Sequence, residues 1–157
     1  MNTGQKLAYG LLGAPLAMAA LPVYIYTPKL YGDEFGLGLA LTGVILLGSR
    51  VVDTLQDPWL GRLANHMQQK PGGWPMLALV AAVCLGLAYA ALFNPPTENS
   101  GLLPFWFAVA LILVYTAHSA LNITYMTWGA RASDDTHERT RIVAFREAFA
   151  LLGVILA

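Results

Sequence analysis

The sequence predicts an all-α fold, a polytopic bundle of membrane-spanning helices. Of its 157 residues, 57% are hydrophobic and only 11% are charged, whereas a soluble domain carries about 25% charged residues. The apolar residues form runs near the ~20 residues with which an α-helix crosses a bilayer. Within a single transmembrane domain over 1–157, these runs place spans at about 7–27, 35–56, 74–93 and 102–128, and an incomplete fifth from about 142. We expect the chain to stop inside this fifth span, so that a C-terminal remainder is absent.

The first span carries two features that affect its interpretation. Pro15 and Pro22 lie seven positions apart, which predicts kinks or local unwinding of the helix. Lys6, the apolar run and the Ala-Met-Ala segment at 17–19 could also be a signal peptide with its cleavage site. Because the apolar run continues through Ile25 and further spans follow, we interpret it as the first membrane helix.

The second span contains three ionisable residues in its second half: Arg50, Asp53 and Asp57. At ~100° per residue these side chains fall on one face of a helix. A charge near the bilayer centre costs at least ~2.5 kcal/mol, so such residues usually face a bundle interior or an aqueous cavity. One interpretation is that Arg50 neutralises Asp53 while Asp57 lies at the interface. The other, which we favour, is an ion or substrate pathway.

The fourth span carries a polar stripe along one helical face, formed by Tyr115, His118, Ser119, Asn122 and Tyr125. A polar stripe on a membrane helix is expected to face protein or water instead of lipid. Its members could serve interhelical hydrogen bonding alone, or they could contact a solute. We expect this face to lie against the charged face of the second span.

The distribution of basic residues predicts the orientation of the chain in the membrane. With a cytoplasmic N-terminus, most basic residues lie on the cytoplasmic side, and the opposite side holds only Lys29. The formal net charge of zero gives no indication of nucleic-acid binding. The single cysteine, Cys84, excludes an intrachain disulfide.

Two stretches carry a resemblance to a known family. In the run LLGSRVVDTLQDPWLGRLAN, five positions (Arg50, Asp53, Asp57, Pro58 and Gly61) match the pattern R-x-x-D-x-x-x-D-P-x-x-G. The later segments N-I-T-Y (122–125), H-E-R-T-R (137–141) and F-R (145–146) are similar to an N-I-P-Y … H-E-R-T-R … Y-R run. Together they resemble the glycoside–pentoside–hexuronide:cation symporters, the melibiose-permease-like branch of the major facilitator superfamily. The resemblance implies the N-terminal part of a major-facilitator-type transporter.

The resemblance also implies roles for individual residues. Asp53 and Asp57 become candidate ligands of a coupling cation, and Asn122 and Arg146 become candidate solute contacts. The polar stripe adds His118 and Tyr125 to the candidate solute contacts, and Arg50 is assigned to structural charge pairing. This chain has no acidic residue at 13–17 and has Asn122 where the family has an aspartate. Two neighbouring carboxylates suit a monovalent ion or a proton, so the coupling ion is Na⁺ or H⁺, and we expect no other cofactor and no metal site.

The function we expect is secondary active transport by alternating access, with cation-coupled symport of a small solute such as a sugar or glycoside. Its partners would be the lipid bilayer, the solute and the cation, in a bacterial inner membrane. The alternative is a non-transporting membrane scaffold or assembly subunit, whose charged helix pairs with another protein. An enzyme is not expected, because the common catalytic motifs are missing and His66, His118 and His137 lack metal-ligand spacing.

Overall fold

The computed structural model describes residues 3–96, 101–131 and 135–156. Over these residues the chain forms helices and no strand, in the order α1 Thr3–Leu11, α2 Gly13–Lys29, a π-helical turn Leu30–Glu34, α3 Leu39–Gln68, α4 Gly73–Phe93, α5 Leu103–Arg131 and α6 Thr136–Leu156. Parts of the predicted connections at 94–101 and 129–141, together with Ala157, lie outside the described residues.

Four helical segments are long and apolar enough to cross a membrane, and they agree with the predicted fold class. They are Gly4–Glu34, which combines α1, α2 and the π-helical turn, then Leu39–Gln68, Gly73–Phe93 and Leu103–Arg131. The expected all-α membrane bundle is therefore confirmed. Helix α6 begins at Thr136, ahead of the position 142 that apolar composition indicated.

The first span is interrupted at Leu12, between α1 and α2, three residues before Pro15, in agreement with the predicted local unwinding. Pro15 has no N–H to donate to the carbonyl of Leu11, four positions earlier, and α1 ends at Leu11. Pro15 itself is the third residue of α2, where a backbone N–H would have no partner within that helix. Pro22 lies inside α2, which continues past it to Lys29.

Helix α3 continues well beyond the predicted boundary at 56. It passes through Pro58 and ends at Gln68, so most of the stretch between the predicted second and third spans is helical. The residues that follow Gly61 include good helix formers such as Leu63 and Ala64, and Ala64 is almost fully buried. The charged face of α3 is thus presented by a long, continuous helix.

The chain divides into two compact units. We call Met1–Ile25 with Tyr125–Ala157 the terminal unit, and Tyr26–Thr124 the central unit. In the terminal unit, Tyr9, Tyr125 and Ile142 form a buried cluster, against which Leu16 and Trp128 pack.

The central unit has its own buried contacts. The ring of Tyr31 stacks on that of Phe107 with 4.0 Å between the centroids, and the Tyr31 hydroxyl donates to the carbonyl of Leu92 at 2.6 Å. The indole N–H of Trp106 donates to the carbonyl of Ala91 at 2.9 Å. These contacts join the π-helical turn to α4 and α5, and α4 to α5.

Candidate functional site

Asp53 is the centre of a polar network within the central unit. This ionisable residue is only 8% exposed, and it lies in a helix apolar enough to cross a membrane. Its Oδ1 accepts hydrogen bonds from Ser119 Oγ at 2.9 Å and from Gln56 Nε2 at 3.4 Å. Its Oδ2 lies 3.4 Å from Nη1 of Arg50. These partners stabilise a carboxylate whose burial would otherwise be costly.

The helical repeat explains why these groups meet. Residues three apart on a helix are neighbours on its surface, which places Arg50 and Gln56 on either side of Asp53 along α3. Thr116, three positions before Ser119 on α5, lies 3.0 Å from Oε1 of Gln56 and 2.7 Å from the carbonyl oxygen of Ile112. The network therefore links α3 to α5 at two successive points. Of the polar stripe, Ser119 contacts the charged face here, while the expected approach of His118 and Asn122 to that face stays a prediction.

Arg50 pairs with Asp53, as the sequence predicted, but the pair is loose. The separation of 3.4 Å is long for a charged hydrogen bond, and the Arg50 side chain remains 43% exposed. The guanidinium carbon also lies 4.7 Å from the centroid of the Tyr115 ring, a cation–π distance. Arg50 is thus a partial counter-charge for Asp53, held from a second side by an aromatic ring.

The other predicted cation ligand, Asp57, has a different environment. It is exposed on α3, one turn beyond Asp53, and the described residues provide it with no hydrogen bond or ion pair. The structure therefore separates the two carboxylates into a buried, hydrogen-bonded one and an exposed one. His118 and Asn122 are partly buried on α5.

Two further candidates, Tyr125 and Arg146, lie in the terminal unit. The Tyr125 hydroxyl donates to the carbonyl of Tyr9 at 2.6 Å, and the Tyr9 hydroxyl donates to the carbonyl of Tyr125 at 3.1 Å. The two rings lie 4.4 Å apart between centroids. Tyr125 is therefore buried and forms reciprocal hydrogen bonds with Tyr9, and its contact with a solute stays a prediction. Arg146 pairs with its neighbour Glu147.

Several polar contacts were missed by sequence reasoning. Gln56 could have been found, because its spacing of three from Asp53 puts it on the charged face. The ion pair between Lys6 and Glu138 joins positions 132 apart, with Nζ 2.8 Å from both carboxylate oxygens. The hydrogen bond from Lys6 is the main reason that the pKa of Glu138 lies below its ordinary value of 4.5. No local pattern in the sequence predicts this pair.

The chemistry available to the Asp53 network is that of ion binding. A buried carboxylate beside a hydroxyl and an amide offers hard oxygen ligands for a monovalent cation, or a site for a proton. Among the described residues, no group of three or more His, Cys, Asp or Glu side chains is placed to hold a metal ion.

Comparison with known proteins gives consistent matches along almost the whole chain. A family model described as MFS/sugar transport protein matches residues 7–157. The inner membrane symporter YicJ of Escherichia coli K12 is 23% identical over 100% of this chain and 34% of its own length. An isoprimeverose transporter of Lactiplantibacillus pentosus is 24% identical over 97% of this chain and 32% of its own length.

A third relative, from Escherichia coli K12, carries the provisional name of a sulfoquinovose importer. It is 24% identical over 99% of this chain and 34% of its own length. The chain thus spans about a third of the length of the curated relatives it matches. With its four apolar helices, it is an integral membrane protein.

Proposed function

Because this chain belongs to the MFS/sugar transport protein family, we propose that it forms part of a cation-coupled symporter for a sugar or glycoside. The names of its relatives, which include a symporter and an isoprimeverose transporter, support this class of solute. The basic residues support a cytoplasmic N-terminus, and the inner-membrane name of one relative supports a bacterial inner membrane.

The observation that carries the proposal is the buried carboxylate of Asp53. Its shortest hydrogen bond comes from the neutral Ser119 hydroxyl, while its counter-charge, Arg50, lies at 3.4 Å and is nearly half exposed. A cation that reaches this site can therefore compete with Arg50 for the carboxylate. Asp57, one turn further along α3, would supply a second charged oxygen ligand when the ion binds.

Coupling requires that the ion discriminate between conformations of the carrier. A ligand shifts a conformational equilibrium only by its difference in affinity for the two states. We propose that binding of Na⁺ or H⁺ at Asp53 releases Arg50 and favours the conformation that accepts solute. His118 and Asn122 in the central unit, and Arg146 in the terminal unit, are the proposed solute contacts, each to be tested separately.

Transport by the complete carrier in proteoliposomes tests this function. Isoprimeverose uptake is measured under an imposed Na⁺ gradient and, separately, under an imposed H⁺ gradient. We expect one of the gradients to drive accumulation, and Asp53→Asn to abolish it while leaving exchange of internal for external solute. Asp33→Asn, which removes an exposed carboxylate from the π-helical turn, is the matched control and should accumulate solute normally.

Two results would contradict the proposal. Accumulation by the Asp53→Asn carrier equal to that of the unmodified carrier would remove Asp53 from coupling. Absence of both uptake and exchange in the unmodified carrier, with a panel of glycosides, would favour the alternative of a non-transporting membrane scaffold.

A further inference from the structure

Arg146 is the charged candidate for solute contact, and the structure gives it a direct counter-charge. Oε1 of Glu147 accepts a hydrogen bond from Nε of Arg146 at 3.1 Å and a second one from Nη2. The Arg146 side chain is only 15% exposed, whereas that of Glu147 is 54% exposed. The Arg146 side chain is thus mostly buried, and its charge is compensated by the more exposed carboxylate of Glu147.

The position of Arg146 is fixed by packing within the terminal unit. A Cβ placed on Gly13 of α2 would lie 2.7 Å from the carbonyl oxygen of Arg146 and 3.5 Å from its Cγ, so the two helices approach closely here. The side chain of Arg146 is mostly buried within the unit that also contains Tyr9 and Tyr125. Arg146 therefore has little freedom to leave Glu147 for another site.

The charge of this pair determines which solutes it can favour. A free guanidinium presents a planar fork that binds carboxylates and other oxyanions through paired, charge-assisted hydrogen bonds. With Glu147 on Nε and Nη2, the pair is neutral overall, and three of the five N–H donors of Arg146 remain for other acceptors. Such a group can donate to the hydroxyl and ring oxygens of an uncharged sugar, but an anion meets the Glu147 carboxylate as well.

We propose that Glu147 is a specificity-determining residue, which neutralises Arg146 and so makes the carrier select uncharged glycosides over acidic sugars. The inference rests on the proposed function, because it takes Arg146 to contact the solute. It goes further by naming the charge class of the solute and the residue that sets it. The relatives include proteins named for both classes, an uncharged disaccharide and a sulfonated sugar.

Competition in the complete, reconstituted carrier tests the inference. Exchange of labelled isoprimeverose is inhibited with unlabelled isoprimeverose, an uncharged probe, and with sulfoquinovose, an anionic probe. The unmodified carrier should prefer isoprimeverose. Glu147→Gln should shift the ratio of the two inhibition constants toward sulfoquinovose by about tenfold to a hundredfold, as expected for a hydrogen bond to a charged group. Glu34→Gln, at an exposed position in the π-helical turn, is the control and should leave the ratio unchanged.

Further variants separate charge from folding. Glu147→Asp keeps the charge and should keep the original ratio, and Glu147→Met gives a second charge-removing variant if Glu147→Gln does not insert stably. An unchanged ratio in the charge-removing variants, a shift in Glu147→Asp equal to theirs, or a preference of the unmodified carrier for sulfoquinovose would each overturn the role of Glu147. Those results would leave the proposed symport intact. If the unmodified carrier exchanges neither probe nor any other glycoside, the proposed function fails, and this inference fails with it.

Discussion

The Ser119 hydroxyl on α5 donates a 2.9 Å hydrogen bond to Asp53 on α3, joining two helices through a carboxylate that is almost fully buried. It is the shortest of the three hydrogen bonds that the described residues provide to Asp53. A neutral hydroxyl, more than the arginine one turn away, therefore holds this carboxylate in place. Ser119 thus joins the two helices at Asp53, whereas Arg50 compensates the charge of Asp53 from within α3.

Removal of this hydroxyl should destabilise the protein. Ser119→Ala leaves Asp53 with two longer hydrogen bonds, at 3.4 Å each, and we expect a loss of about 1.5–3 kcal/mol in the free energy of unfolding, the usual contribution of a hydrogen bond to a charged group. Thermal unfolding in detergent measures the effect. Thr54→Ala is the control, because among the described residues its exposed hydroxyl bonds only to the carbonyl of Arg50, within its own helix. Equal stability of the two variants would contradict the role of Ser119.

Removal of Arg50 alone should destabilise the protein more than removal of both Arg50 and Asp53. Arg50→Ala leaves Asp53 buried with its counter-charge gone, at an expected cost of about 1–3 kcal/mol. The double variant Arg50→Leu with Asp53→Leu removes both charges and fills the space with apolar groups, which often costs less than breaking a pair. Unfolding temperatures of the two variants in the same detergent make the comparison, and equal losses would argue against a functional pairing of Arg50 with Asp53.

The pH dependence of stability should report the ion pair between Lys6 and Glu138. The pKa of Glu138 is lowered in the folded protein, so its contribution to stability is fully present above the ordinary pKa of 4.5 and is lost as the pH falls below that value. Lys6→Met should therefore lower the unfolding temperature at neutral pH, and its difference from the unmodified protein should shrink below pH 4.5. The control is Lys70→Met, at an exposed lysine. A difference that is constant from pH 7 to pH 3 would show that the pair is not its source.

Close packing in the terminal unit gives a prediction with an internal control. A Cβ on Gly129 would lie 2.7 Å from Cζ of Tyr9 and closer still to its hydroxyl, whereas a Cβ on Gly86 of α4 meets nothing within 4 Å. Gly129→Ala should thus cost about 1–3 kcal/mol through overpacking. Gly86→Ala should be neutral or stabilise by about 0.5–1 kcal/mol. Comparison of unfolding temperatures tests both. An unchanged unfolding temperature in Gly129→Ala would mean that Tyr9 can move away from its hydrogen bonds with Tyr125.

The sequence predicted the membrane helices well, but not the exact positions at which helices are interrupted or end. Runs of apolar residues reflect the thickness of the bilayer, which is why the four spans were located. The break at Leu12 and the continuation of α3 through Pro58 depend on which carbonyl loses its donor and on the contacts of the turns nearby. Composition does not encode these details. The predicted local unwinding near Pro15 is present at Leu12, while a kink at Pro22, inside the continuous helix α2, stays a prediction.

The candidate site was predictable where it depends on one helix and unpredictable where it depends on two. Helical spacing alone placed Arg50 beside Asp53, and the pairing is present. Which polar residues of α5 form hydrogen bonds with α3, here Thr116 and Ser119, depends on the rotation of each helix about its own axis. The Lys6–Glu138 pair was even less predictable, because its residues are 132 positions apart and meet only when the fold brings α1 against α6.

The last prediction separates ion binding from folding by comparing Asp53 with Asp57. Asp53 accepts three hydrogen bonds, so Asp53→Asn should lower the unfolding temperature as well as abolish coupled transport. Asp57 is exposed and makes no contact of this kind with the described residues, so Asp57→Asn should leave stability unchanged. If Asp57 is the second ligand of the ion, that variant should nevertheless fail to accumulate isoprimeverose in proteoliposomes under the driving Na⁺ or H⁺ gradient, while still exchanging internal for external solute. The unmodified carrier, measured at equal protein density in the same vesicles, gives the reference. Undiminished accumulation by the Asp57→Asn carrier would remove Asp57 from the ion site and leave Asp53 as its charged ligand.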